Sequence, residues 1–282
     1  MSTRRELVLG VLAFLLPFSG GCGFLEFRSQ PLGLRDGIVY YVDGAGGGPR
    51  SGWSQGVRQG LTAAKFSGEL RFFGWQSGRG LLVDQVIATE EKRARAVRLA
   101  HELTGARAAN PDLTISIIAL SAGTAVTAFA LEALPAGIEV DQVVFLSGSL
   151  SQDYDLAPAL QHIRGKLTCF TSRADLVLGV GARAIGTADR EIGGTSIGLR
   201  GVKPTQRTSP EALPLFREKV ANVGWRPEFL IASDFGRHTD RVNPDFIQLF
   251  VAPALWPDVS QETRVRLRAP NLRKVAGTAL RP

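Results

Sequence analysis

Short apolar runs alternate with stretches of helical period along most of this chain. "GIVYYVDG" (37–44), "GELRFFGWQ" (68–76), "LTISIIAL" (113–120), "DQVVFLSGS" (141–149), "KLTCFTS" (166–172) and "PEFLIAS" (227–233) read as strands. They are continuously apolar rather than alternating, the pattern of strands buried on both faces. Between them, residues 51–64, 86–109, 123–134 and 156–164 read as helices. The second is long and charged, with Val86, Ala94, Val97 and Ala100 at helical spacing. Asn243, Pro244 and Asp245 read as N-cap, first helical position and first-turn acid of a last helix through "FIQLFVAPAL". This alternation predicts an α/β fold, a doubly wound and mostly parallel sheet with helices on both faces. Residues 179–226 are the least regular part. They are glycine-rich, hold at most two short helices by pattern, and are expected to overhang one edge of the site.

The amino terminus follows a different rule. Arg4 and Arg5 precede "LVLGVLAFLLPF", twelve uncharged residues from Leu7 to Phe18. That run is too short to span a bilayer and suits a secretory signal. "SGGC" follows and resembles the bacterial lipobox, which would make Cys22 the lipidated first residue of an exported, membrane-anchored protein facing the periplasm. The expected layout is a signal peptide at 1–21, a linker at 22–36, the folded domain at 37–260 and a basic tail at 261–282.

Charge refines this picture. The chain of 282 residues carries +7. Loss of Arg4, Arg5 and Glu6 with the leader leaves +6, and Arg264 to Pro282 alone holds six basic residues and no acid. The rest of the mature chain is therefore neutral overall. The tail has no aromatic side chains, which argues against nucleic acid; it reads as a solvated terminus, with contact to anionic headgroups as the alternative. Cys22 and Cys169 are the two cysteines, so there is no disulfide framework and no metal spacing. Cys169 lies in an apolar strand and reads as a small buried hydrophobe. A dinucleotide reading of the glycines from Gly44 fails because Pro49 stands where glycine is needed, and no phosphate-loop motif occurs. No cofactor or metal is expected.

The chemistry begins at "TISIIALSAGTAVTAFALEALP" (114–135), where a buried strand ends on Ser121 and turns at once into a helix. In an open parallel sheet ligands meet the carboxyl ends of the strands. So abrupt a turn needs small neighbours, here Ala119 and Gly123, and leaves the serine hydroxyl proud of the sheet. The plainer alternative is a helix N-cap serine. A serine nucleophile needs a base, and the base needs an orienting acid. His101 and His162 lie on helices and read as solvated. His238, in "SDFGRHTDR", follows the last apolar strand and reaches the same rim as Ser121. Asp175 and the pair Asp153 and Asp155 are the acids at strand ends.

"ALSAG" resembles the nucleophile elbow of the α/β-hydrolases, with alanine in place of the first glycine. The order Ser121, Asp175, His238 is similar to that family's order, and Asp175 matches its usual acid, after the strand that precedes the histidine strand. "YVDGAGGGPRSGW" resembles its oxyanion loop, with Asp43 where the family usually carries histidine. The resemblance covers roughly 37–256. It implies a minimal-cap serine hydrolase cleaving an ester, with thioester or amide as variants. Ser121 would be the nucleophile, His238 the base, Asp175 the acid with Asp155 next, and the amides of Ala45 and Ala122 the oxyanion donors. The partner is then a small-molecule or lipid ester. The competing class is a non-catalytic binding or structural lipoprotein on the same scaffold.

Overall fold

The computed structural model describes residues 37–256; the leader, Cys22 and the basic tail lie outside the described residues. Six strands, β1 (Ile38–Val42), β2 (Glu69–Phe73), β3 (Ile115–Leu120), β4 (Gln142–Leu146), β5 (Leu167–Thr171) and β6 (Val220–Gly224), form one sheet in the order β2-β1-β3-β4-β5-β6. Every neighbouring pair is parallel. β1, β3 and β5 are buried along their whole length, as strands covered on both faces are.

Two-residue periodicity splits the strand side chains between two cores. Val39, Tyr41, Ile118, Leu120, Val144 and Phe170 face helix α1 (Gly52–Ala63) and the final helical run 244–255. Tyr40, Val42, Ile117, Ala119, Val143 and Phe145 face the other core. That core is covered by α3 (Thr89–Ala109), α4 (Gly123–Glu132) and α5 (Ala157–Gln161), with α2 (Leu81–Val86) preceding α3. The fold is thus a doubly wound α/β fold, a parallel sheet with helices on both faces. All six strands end toward one edge, and the loops leaving that edge carry the site.

Three expectations need correction. "PEFLIAS" is not a strand: Pro227–Ala232 is a 3-10 helix that buries Phe229 and Ala232 and exposes Leu230 and Ile231. Proline at its start fits a helical turn and cannot donate to a sheet ladder. The sixth strand is instead "VANVG", inside the stretch read as irregular. That stretch also holds α6 (Ala182–Ile185), α7 (Ile197–Arg200) and α8 (Leu213–Lys219), more helix than expected.

The long helix also differs. It breaks at Ile87 and Ala88 into α2 and α3. Val86 and Val97 are exposed, and the buried stripe of α3 is Lys92, Ala96, Leu99, Ala100, Leu103 and Arg107. The two buried cations explain the misreading, because each is held by hydrogen bonds to backbone carbonyls. Lys92 donates to Gln85 O (2.9 Å) and Ala188 O (2.8 Å). Arg107 donates to Pro111 O (2.8 Å), Leu113 O (2.6 Å) and Glu139 O (3.0 Å), and pairs with Asp141. Burial pulls the Lys92 amine down to about 8, with Arg190 adding to the shift and Asp189 and Asp84 opposing it.

Candidate active site

β3 ends at Leu120 and α4 starts at Gly123, so two residues make the whole turn. Ser121 takes a left-handed backbone, φ +51°, which costs a side-chain-bearing residue about 1–2 kcal/mol. The surroundings hold it there. Its N–H donates to Leu146 O (3.0 Å), and its carbonyl accepts from Thr124 N (3.0 Å) and Ser149 N (3.1 Å). Thr124 Oγ1 donates to the same carbonyl (2.6 Å). The helix after the turn passes against the end of β1. A Cβ at Gly123 would overlap Val42 O and lie 2.6 Å from Asp43 O, so the residue two beyond the serine has no room for a side chain.

His238 arrives on a loop pinned from inside. The 3-10 helix before it is anchored by Phe229, whose ring meets Phe170, Phe246 and Phe250 with centroids 6.2, 5.1 and 4.7 Å away. Asp234 Oδ1 accepts from Gly236 N (2.7 Å), and Asp240 Oδ2 accepts from Phe235 N (2.9 Å) and Arg237 N (3.1 Å). Arg241, fully buried, donates to Thr171 O (2.9 Å), Phe170 O (3.3 Å) and Ser147 Oγ (3.3 Å) at the ends of β5 and β4. Its Nε lies 3.3 Å from Asp234 Oδ2, an ion pair without hydrogen-bond alignment. Burial pushes the Asp234 carboxyl up and the Arg241 guanidinium down, and each charge offsets the other's desolvation. This clasp ties both ends of the histidine loop to the sheet. Nothing in the sequence marked it beyond an Asp and an Arg seven residues apart.

The three residues singled out from sequence lie in one hydrogen-bonded row. His238 Nδ1 is 2.8 Å from Asp175 Oδ2, and His238 Nε2 is 2.8 Å from Ser121 Oγ. A carboxylate only accepts, so the Nδ1–H donates to Asp175 and Nε2 is left to accept from the serine hydroxyl. Asp175 is itself buried, and its Oδ1 accepts from Leu178 N (3.0 Å). Asp155 is engaged elsewhere, accepting from Ala157 N (3.1 Å) and Thr208 Oγ1 (2.8 Å). Asp153 is exposed. His162 sits at the end of α5 with Nδ1 on Ile138 O (2.8 Å), and His101 is exposed on α3.

The glycine loop after β1 is built around Asp43. This buried carboxylate accepts from Tyr41 OH (2.9 Å) and Gly44 N (2.8 Å) on one oxygen. The other accepts from Gly48 N (2.9 Å), Ser51 Oγ (2.6 Å) and Ser54 Oγ (3.2 Å). A second buried acid, Asp84 on α2, accepts from Gly46 N (2.9 Å), Ser77 N (2.7 Å) and Ser77 Oγ (2.6 Å). Gln76 and Trp75 donate to the carbonyls of Gly44 and Asp43. Gly44 backs onto the serine, where a Cβ would lie 3.2 Å from Ser121 Cβ. The amides of Gly44, Gly46, Gly47 and Gly48 all donate within the protein. Those of Ala45 and Ala122, both buried, donate to no group among the described residues. A buried unpaired N–H costs about 1–3 kcal/mol, so two of them beside one serine mark a place for an external acceptor.

Among the described residues no group of His, Cys, Asp and Glu is arranged to hold a metal ion. Cys169 is buried in β5, where desolvation pushes its thiol up to about 12. It is thus an inert packing group rather than a second nucleophile.

No protein-family model matches the chain, and no curated protein does. Solved structures with a similar arrangement include Aspergillus fumigatus lipase B, at 12% identity over 78% of this chain and 52% of that one, with a TM-score of 0.48. A lipase-esterase related protein from Clostridium acetobutylicum is 12% identical over 79% of this chain and 96% of that one, TM-score 0.46. Dienelactone hydrolase from Anabaena variabilis is 18% identical over 81% and 84%, TM-score 0.39. Likeness at this level transfers neither activity nor substrate to this chain.

Proposed function

We propose that this chain is a serine hydrolase that moves an acyl group from an ester to water. The observation that carries the reading is the row of hydrogen bonds from Asp175 through His238 to Ser121, with the serine held on a left-handed elbow. A hydroxyl is a weak nucleophile at neutral pH. His238 Nε2 takes its proton as Ser121 Oγ bonds to the ester carbonyl carbon, and Asp175 holds the imidazole in the competent tautomer and stabilises the imidazolium. The carbonyl oxygen becomes an alkoxide. The free amides of Ala45 and Ala122 are its donors; loss of one such donor costs about 3–4 kcal/mol of transition-state stabilisation. Collapse expels the alcohol, which leaves with the proton from His238. Water then attacks the acyl-serine by the same steps in reverse.

Preorganisation separates this reading from that of a mere N-cap serine. Asp43 and Asp84 fix the glycine loop before any substrate arrives, and the Asp234–Arg241 clasp fixes the histidine loop. Groups already in place need no reorganisation during the reaction. The test is labelling by a fluorophosphonate probe. We expect modification of Ser121 in the wild type and none in Ser121→Ala. A folded wild type that resists the probe would leave a non-catalytic binding role as the better account.

Export and lipidation at Cys22 belong to the same proposal, resting on the charged leader, the twelve-residue apolar run and "SGGC". Cys22→Ser should shift the protein from the membrane fraction or leave its leader uncleaved. Equal solubility of the two forms in the periplasm would argue for a plain secretory signal.

A further inference from the structure

The mouth of the site is ringed by apolar side chains that stand exposed among the described residues. Among the described residues, every strongly exposed large apolar side chain except Val97 lies on segments leaving the carboxyl ends of β2, β5 and β6. Leu176 is 76% exposed, Ile192 71%, Val180 67% and Leu82 63%. These segments adjoin one another around Ser121. A Cβ at Gly46 would lie 2.9 Å from Leu81 Cα, which puts α2 against the glycine loop. Gln85 Nε2 donates to Gly186 O (3.2 Å), which joins α2 to the segment after β5. Leu176 follows Asp175 directly. A Cβ at Gly236 would lie 2.7 Å from Ser172 Oγ and 3.4 Å from Trp225 Cδ1, which closes the ring through the His238 loop.

The same segments carry arginines. Arg79, Arg173, Arg190, Arg226 and Arg237 are exposed there, against exposed Glu191 and Glu228. The guanidinium of Arg237 lies 5.6 Å from the ring centroid of the exposed Phe235. Asp240 and Asp189 are occupied by backbone amides, of Phe235 and Arg237 and of Ser151 respectively. Exposed apolar surface of this extent marks a place where something docks. Five exposed arginines against two exposed carboxylates give the ring an excess of positive charge, which complements an anionic surface. Apolar side chains interleaved with arginine suit the plane where acyl chains meet anionic headgroups.

We propose that this collar seats the domain, site first, on an anionic lipid–water interface, and that the ester reaching Ser121 is presented from that surface. The second clause rests on the hydrolase reading; the first does not, and the two are tested separately. For docking, the full chain carrying Cys22→Ser and Leu176→Cys is labelled with an environment-sensitive fluorophore, the buried Cys169 being out of reach. Vesicles of phosphatidylcholine with phosphatidylglycerol should blue-shift the label. Phosphatidylcholine alone should not, and salt should reverse the shift. Adding Val180→Ser, Ile231→Ser and Arg173→Gln should abolish the response although the leader is unchanged. A label that ignores anionic vesicles, or responds equally to both kinds, overturns docking.

For the ester, a long-chain aryl ester is dissolved in the same anionic vesicles. The triple variant in the otherwise unaltered chain should hydrolyse it at least about tenfold more slowly, the order expected when one cation and two apolar anchors are lost. Its turnover of a short, soluble aryl ester should match the wild type. Equal rates on the vesicle-borne ester overturn the surface-presented substrate. A wild type inactive on both esters but responsive in fluorescence overturns the hydrolase reading and leaves the docking surface standing.

Discussion

Turnover of a soluble aryl ester is expected to fall by about 10⁴- to 10⁶-fold in Ser121→Ala and in His238→Ala, and hardly further in the double variant, because members of such a unit do not act independently. The reason lies in the row of contacts. Nε2 has one proton to accept, that of Ser121 Oγ at 2.8 Å. Without the base the hydroxyl is unactivated; without the hydroxyl the base has nothing to activate. Circular dichroism should be unchanged in both variants, since the elbow is held by the backbone of Ser121 and not by its side chain. Losses that add in the double variant, or a Ser121→Ala protein with wild-type turnover, would refute the unit.

The second large effect is expected at Asp175. Asparagine there can keep the contact from Leu178 N to Oδ1 but presents an amide N–H₂ to His238 Nδ1. The ring must then carry its proton on Nε2, facing Ser121 Oγ, where it cannot accept. A rate loss of up to about 10⁴-fold follows from the wrong tautomer alone. Asp155→Asn should remain within a few-fold of wild type, because Asp155 caps α5 and holds Thr208 instead. The reverse pattern in a kinetic comparison of the two variants would move the orienting acid to Asp155.

Much of the architecture was legible because burial on two faces leaves a strong trace. β1, β3, β4 and β5 are each short and mostly apolar, broken only by Ser116, Gln142, Thr168 and Thr171. β6 left no such trace. "VANVG" is an edge strand, only half-buried, with a polar and a glycine residue among its five. "PEFLIAS" is more apolar yet helical, because an apolar run alone does not tell a strand from a short buried helix. In α3 hydropathy pointed away from the core, since Lys92 and Arg107 are buried on hydrogen bonds to carbonyls that no local pattern reveals. At the site, the elbow could be read from the small residues around Ser121, which are a local constraint. The choice of Asp175 over Asp155 rested on the family resemblance alone. No local pattern separates the two acids otherwise, and the contact is made by the return of a loop 63 residues after Asp175. The Asp43 hub and the Asp234–Arg241 clasp are also long-range, and buried charge is what sequence patterns conceal best.

The buried Lys92 makes folding a proton-releasing event in mild alkali. Burial pulls its amine down to about 8 in the folded protein, from an ordinary 10.5. Between those values the unfolded chain binds the extra proton, so stability rises with pH there, the reverse of a lysine stabilised by a partner. A step from pH 7.5 to 9.5 should add about 2 kcal/mol from this residue. Cys169, pushed up to about 12 from 9.0, works the other way above pH 9. The difference between wild type and Lys92→Met in urea unfolding isolates the lysine. The wild-type midpoint should climb relative to the variant over that step. A constant difference would mean that the amine stays charged in the folded protein. The stitch from α3 to the loop at Ala188 would survive the titration, because a neutral amine still has two hydrogens for its two carbonyls. A protein held together at that point would gain firmness, and lose nothing in shape, as its surroundings turn alkaline.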